Sequence, residues 1–254
     1  MKSESWRNAS RKYYCKRPVD ATAMLFYLTI FMTAAVWIHT KEGTKTFKVK
    51  KIKNELQVTG KGEDPLWKQS DELTSFVYPW ENENAPFTSF RALHSDNWLY
   101  CVFTASDNNV ITYVDNNNKT DALRSDRVEI FFKQEDNSAP YYCLEMDPLG
   151  RVYDCQVEFN KKFNPAWSWP ADQLVIKTSR TNDGYVVEVA ISKSSLTSLG
   201  LLRDKKLQAG LYRAECVKLV GKKADFKWIS WVRPESATPD FHIPSSFGVL
   251  TLED

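Results

Sequence analysis

Seven residues, 127 to 133, constrain this chain most. Val128, Ile130 and Phe132 alternate with Arg127, Glu129, Phe131 and Lys133, and a period of two sends such sets to opposite faces of a β-strand. The run through residue 156 continues the theme: a polar loop, a second apolar strand at Tyr141, the turn Asp147-Pro148-Leu149-Gly150, and a third strand begun by Arg151. The arrangement sets Glu129 among aromatic neighbours on the face away from the core, with Arg151 close by. A carboxylate and a guanidinium beside flat apolar side chains suit the hydroxyls and C–H faces of a sugar.

The remainder reads the same way. Strand patterns at residues 88–93, 98–105, 173–179, 185–190, 211–219, 227–232 and 248–252 are separated by turn signals such as Asp96-Asn97 and Asn182-Asp183-Gly184. About ten strands without alternating long helices predict an all-β fold, an antiparallel β-sandwich of jelly-roll or immunoglobulin-like kind. One short helical turn is expected from Ser192 to Leu199.

Ahead of the β region lies a different chain. Residues 1–20 are basic, with Lys2, Arg7, Arg11, Lys12, Lys16 and Arg17 against Glu4 and Asp20; residues 21–38 (ATAMLFYLTIFMTAAVWI) carry no charge. Eighteen such residues sit at the short end of what spans a bilayer, roughly 17–25. Here one N-terminal hydrophobic helix is expected, either a signal anchor through which the chain meets the membrane or, if Met24 is the start, a cleaved signal peptide. Residues 39–54 then read as a charged linker and 55–254 as the exported sandwich. The body is close to neutral and slightly acidic, which argues against a nucleic-acid partner. Among five Cys there is no CxxC, so no zinc or redox motif is indicated. Cys143 and Cys155 flank one hairpin, either near bridging distance or as small buried hydrophobes.

Four segments, Asp64-Pro65-Leu66-Trp67, residues 93–100 (LHSDNWLY), residues 125–132 (SDRVEIFF) and residues 244–250 (PSSFGVL), resemble in order and rough spacing the family 9 carbohydrate-binding modules, sugar-binding β-sandwiches attached to xylanases. The resemblance runs from about residue 55 to the C-terminus. It implies that Glu129 and Arg151 hydrogen-bond a terminal sugar. It implies further that Leu123 and Phe241 stand where the family carries two stacking Trp, and that Asp107 and Asp126 match acidic positions holding structural calcium, with Asp115 and Asn116 to Asn118 nearby.

Since Leu123 and Phe241 shrink that slot, other aromatics become candidate platforms. Trp167 and Trp169 lie two apart between Pro165 and Pro170, and an extended backbone would face both indoles one way; Trp80 follows Pro79. Trp67, Trp98, Trp228 and Trp231 read as core. Catalysis has less to stand on: there is no GxSxG and no ExDxxE-like cluster, and a hydrolase would need a pair such as Glu129 and Glu145 on one sheet face. The expected function is non-catalytic binding of a polysaccharide or oligosaccharide. A small exported glycoside hydrolase, or an interaction module with a decayed sugar slot, is the alternative.

Overall fold

The computed structural model describes residues 44–254; the basic tail and the expected hydrophobic helix lie outside the described residues. Thirteen strands follow in order: β1 (Thr46–Lys51), β2 (Thr88–His94), β3 (Trp98–Ser106), β4 (Arg127–Lys133), β5 (Tyr141–Met146), β6 (Val152–Glu158), β7 (Lys162–Asn164), β8 (Leu174–Thr181), β9 (Gly184–Ser192), β10 (Leu202–Arg203), β11 (Lys206–Val220), β12 (Lys223–Ser230) and β13 (Gly248–Leu252). Among the described residues one α-helix, α1 (Lys193–Ser198), is capped by the Ser192 hydroxyl.

The first sheet runs β7-β6-β5-β4-β11-β13-β1, with β10 and β12 also on β11; the second runs β1-β2-β3-β9-β8. β1 belongs to both. Thr46 to Val49 pair with Val249 to Leu252 of the first sheet, and Lys50 and Lys51 then pair with Leu93 and His94 of the second. This corrects the reading of residues 39–54 as linker: from Thr46 on they hold the two sheets together. Both pairings of β1 are parallel, while the other strand pairs are antiparallel. Parallel neighbours need a long connection, and the chain leaves β1 only to return as β2 some forty residues later and as β13 at its end.

Between the sheets lies the main core. Val128, Ile130 and Phe132 from β4 and Leu144 and Met146 from β5 meet Phe90, Phe103, Val187 and Val189 from the second sheet, all buried. Each sheet also has a covered outer face. On the second, Tyr100, Val102, Val186 and Ala190 pack under Ile52, Leu56 and Trp67. On the first, Phe131, Cys143, Cys155 and Tyr212 pack under Phe241 and Phe247. Cys143 and Cys155 stand directly opposite each other in register, both fully buried and both free thiols. Burial pushes the Cys143 thiol well above its ordinary range, so these side chains serve as small apolar fillers.

Candidate functional site

The alternation of β4 builds the site. Arg127, Glu129, Phe131 and Lys133 turn to the outer face of the first sheet. Glu129 has Glu145 of β5 opposite it on one side and Tyr212 of β11 on the other. Two carboxylates thus share one row, and Arg127 stands one row along on the same face. Its Nε lies 2.7 Å from Glu145 Oε2 and 2.9 Å from Glu129 Oε1. Nε carries one hydrogen, and it goes to Glu145. Glu129 Oε1 therefore receives attraction but no hydrogen bond, and it is left without a donor although buried. Burial, and next the neighbouring Glu145, push the Glu129 carboxyl up to about 8.

Aromatic side chains stand around this charged floor. Phe241 is stacked on Tyr212, with ring centres 4.2 Å apart and planes at 12°. Trp80 lies 5.4 Å and Trp228 5.7 Å from the Phe241 ring. The Trp80 indole N–H donates to Ser236 O, which fixes that wall. The Arg127 guanidinium lies over Trp228, 5.5 Å from its centre. His242 completes the rim, stacked on Phe131 at 5.3 Å and with Nδ1 2.7 Å from the Tyr141 hydroxyl. The cleft is lined by Trp80, Arg127, Glu129, Glu145, Trp228, Phe241 and His242, with Lys161 and Asp240 paired at its mouth.

The structure brings Glu129, Phe241 and Trp80 together in this cleft and leaves the other three expected sugar-binding residues, Arg151, Trp167 and Trp169, elsewhere. Arg151 is the main correction. Its Nε meets Asp147 Oδ2 at 2.9 Å, and its Nη2 donates to Tyr113 O at 2.7 Å and Ser125 Oγ at 3.2 Å, while Nη1 is 3.5 Å from Asp121. The guanidinium is used up in bracing the Asp147 turn against the loop at 113–121. Arg127 is the cation at Glu129 instead. Its two-residue spacing from Glu129 was the available signal.

Trp167 and Trp169 form no flat platform. Their rings meet edge to face at 82°. Trp169 is buried in the main core, with its backbone N–H on Asp154 and its indole N–H on Ser195; Trp167, half-buried, packs against Tyr142. The pair caps one end of the sandwich. Trp228, read as core, is half-buried and lines the cleft.

Asp107 and Asp126 are neighbours, but they face a cation the protein supplies. Arg213, fully buried, lies 2.9 Å from Asp107 Oδ2, and both Asp126 oxygens accept backbone N–H groups, from Ile111 and Cys216. Asp115, Asn116 and Asn117 aim their backbone N–H groups at Asp121. Calcium needs six to eight oxygens, and among the described residues no three His, Cys, Asp or Glu side chains converge as a metal set. These donors do not fit calcium. A chelator should therefore leave the melting temperature unchanged in a thermal scan, and a clear drop reversed by added calcium would refute this.

Residues 58–254 match the family described as carbohydrate family 9 binding domain-like. Exoglucanase XynX of Acetivibrio thermocellus is 26% identical over 136 residues, covering 54% of this chain and 11% of that enzyme. This chain therefore matches only about a tenth of that relative's length. Among solved structures, a Bacteroides uniformis protein named for a proposed carbohydrate-binding role superposes with a TM-score of 0.64 at 18% identity, over 83% of this chain and all of the other. A family 9 module from Caldicellulosiruptor kristjanssonii, solved with glucose, gives a TM-score of 0.54 at 17% identity over 82% of this chain and 96% of its own. With nearly four-fifths of its length inside the family match, and a sandwich shared with these structures, the chain belongs to the carbohydrate family 9 binding domain-like family.

Proposed function

We propose that the cleft at Glu129 binds a sugar of a poly- or oligosaccharide and releases it unchanged. One observation carries this reading: a buried carboxyl with an oxygen that lacks a donor, set beside a guanidinium and a second carboxylate between aromatic walls. A sugar hydroxyl would satisfy Glu129 Oε1 once the side chains that cover this oxygen give way, and Trp80 and Trp228 would lie against apolar ring faces. The Caldicellulosiruptor kristjanssonii module was solved with glucose and with cellotriose, which supports carrying carbohydrate over to this chain. Both carboxyls face the one Arg127 side by side, an arrangement suited to holding hydroxyls rather than to flanking a scissile bond. Shallow sites of this kind bind at roughly millimolar to micromolar Kd, about −4 to −8 kcal/mol.

We infer also, from the basic tail and the uncharged stretch 21–38, that the module is exported and meets the membrane through that stretch.

The test is affinity electrophoresis of the full chain through plant and microbial polysaccharides, with reducing-sugar release assayed in parallel. Retardation by at least one glycan without sugar release is expected, and Glu129→Ala should abolish it while Arg151→Ala leaves it in place. Retardation that survives Glu129→Ala would move the site, and sugar release would make the chain a hydrolase.

A further inference from the structure

The cleft does not end at Trp228. On β12, Phe226 and Trp228 are two residues apart on one face, their rings 5.4 Å apart, and the Arg127 guanidinium bridges them, 5.0 Å from the centre of Phe226. Beyond Phe226 opens a second groove, lined also by Leu123, Arg124, Lys222 and Lys223. Phe226 and Leu123 are half-buried and form an apolar floor. The rim is basic. Arg124 is held in place by its Nε on Lys222 O and by the Tyr113 ring beneath it. Lys222 pairs with Asp115, and among the described residues Lys223 has no acidic partner. Three cations thus ring an aromatic floor with one carboxylate against them.

The two grooves differ in charge: the first sets Arg127 against Glu129 and Glu145, whereas the second is rimmed by three cations with Asp115 as the one acidic neighbour. We propose that the groove over Phe226 is a second subsite, which takes a uronic-acid residue adjoining the sugar held at Glu129. The inference rests on the proposed function and adds the substrate class, an acidic glycan. In a uronic acid the carboxylate is attached directly to the ring carbon, so its charge lies at the ring edge. With the ring face on Phe226, that edge meets Arg124, Lys222 and Lys223. Surface cations each contribute a modest amount that salt screens, and together they correspond to about ten-fold in affinity.

The experiment is calorimetric titration of the full chain with galacturonate and glucuronate-bearing oligosaccharides, each beside its methyl ester, and with neutral cello-oligosaccharides. The free acid is expected to bind about ten-fold tighter than its ester at low salt, the gap closing in high salt. The double variant Lys222→Glu, Lys223→Glu should lose the preference while keeping the ester's affinity. Equal binding of acid and ester, or a preference that survives the double variant, would overturn the subsite. A sulfated oligosaccharide bound more tightly than the uronates would overturn the carboxylate assignment. Neutral sugars bound through Glu129 with no gain from acid would sink this inference alone, and no binding of any glycan would sink the proposed function with it.

Discussion

Glu188→Ala is expected to lower stability by about 3–5 kcal/mol, from the loss of a buried charged acceptor and the donors it leaves unpaired. Glu188 is fully buried on β9, on the outer face of the second sheet, in register with Val102. One oxygen accepts the Thr59 N–H at 2.8 Å together with the Gly60 N–H and the Thr59 hydroxyl, and the other accepts the Trp67 indole N–H at 2.8 Å. These donors belong to the segment that covers Tyr100, Val102 and Val186. Gly60 sits so close that a Cβ there would lie 2.5 Å from Thr178 N, and its φ is +84°, so the backbone cannot shift to find other acceptors. For a domain of this size the loss corresponds to a drop of roughly 10 °C in Tm. Glu188→Gln keeps the shape and one acceptor oxygen and should cost less. Glycan binding should persist in any variant that folds, since the cleft lies on the other sheet. Thermal and urea unfolding decide the matter: a Glu188→Ala protein melting within about 2 °C of the parent would show that water or the backbone satisfies those donors.

The residues show why some of this was legible in the sequence and some was not. β4 has the bounds read from alternation, because Val128, Ile130 and Phe132 leave one way to bury three apolar side chains, and β5 starts at Tyr141 as expected. The Asp147 turn followed from its residue types: Gly150 adopts φ +80°, and Asp147 Oδ1 accepts the N–H groups of Leu149 and Arg151. β1 was hidden by its composition. In TFKVKK only Phe47 and Val49 point into the core, and Lys48 and Lys50 find Glu253 and Asp71. Nothing local distinguishes that pattern from a charged linker, because its pairing partners lie far along the chain. Pro165 and Pro170 bound a segment that forms no strand. The inference that both indoles face one way borrowed strand parity for a segment without it, and Asp154 and Ser195 turned Trp169 inward. Arg151 and Arg127 are alike in sequence and differ in their partners. Both lie near Glu129 by strand order, but only the structure shows Arg151 already committed to Asp147.

The last expectation concerns charge. Glu129 has a folded-state carboxyl pushed up to about 8, from an ordinary value of 4.5. The native state thus holds a proton that the unfolded chain gives up between about pH 4.5 and pH 8. The stability tied to that proton is fully present below pH 4.5 and is lost as pH rises through about 8. Asp126, raised to about 7 by burial and by Asp107, acts in the same direction. His94 and His242, lowered by burial, act oppositely near their own range, so the parent's profile alone is ambiguous. The difference between the parent and Glu129→Gln isolates the one group. That variant should gain on the parent steadily from pH 5 to pH 8.5, by on the order of 3 kcal/mol, in paired urea titrations. A difference that stays flat with pH would mean Glu129 is ionised in the fold, held by Arg127 against Glu145, burial and whatever Tyr212 and His242 add. The same variant separates two forms of the binding site. If Glu129 meets the sugar as a neutral acid, the amide, which likewise pairs a donor group with an acceptor oxygen, should keep much of the glycan binding that Glu129→Ala loses. If Glu129 meets it as a carboxylate, Gln and Ala should fail alike.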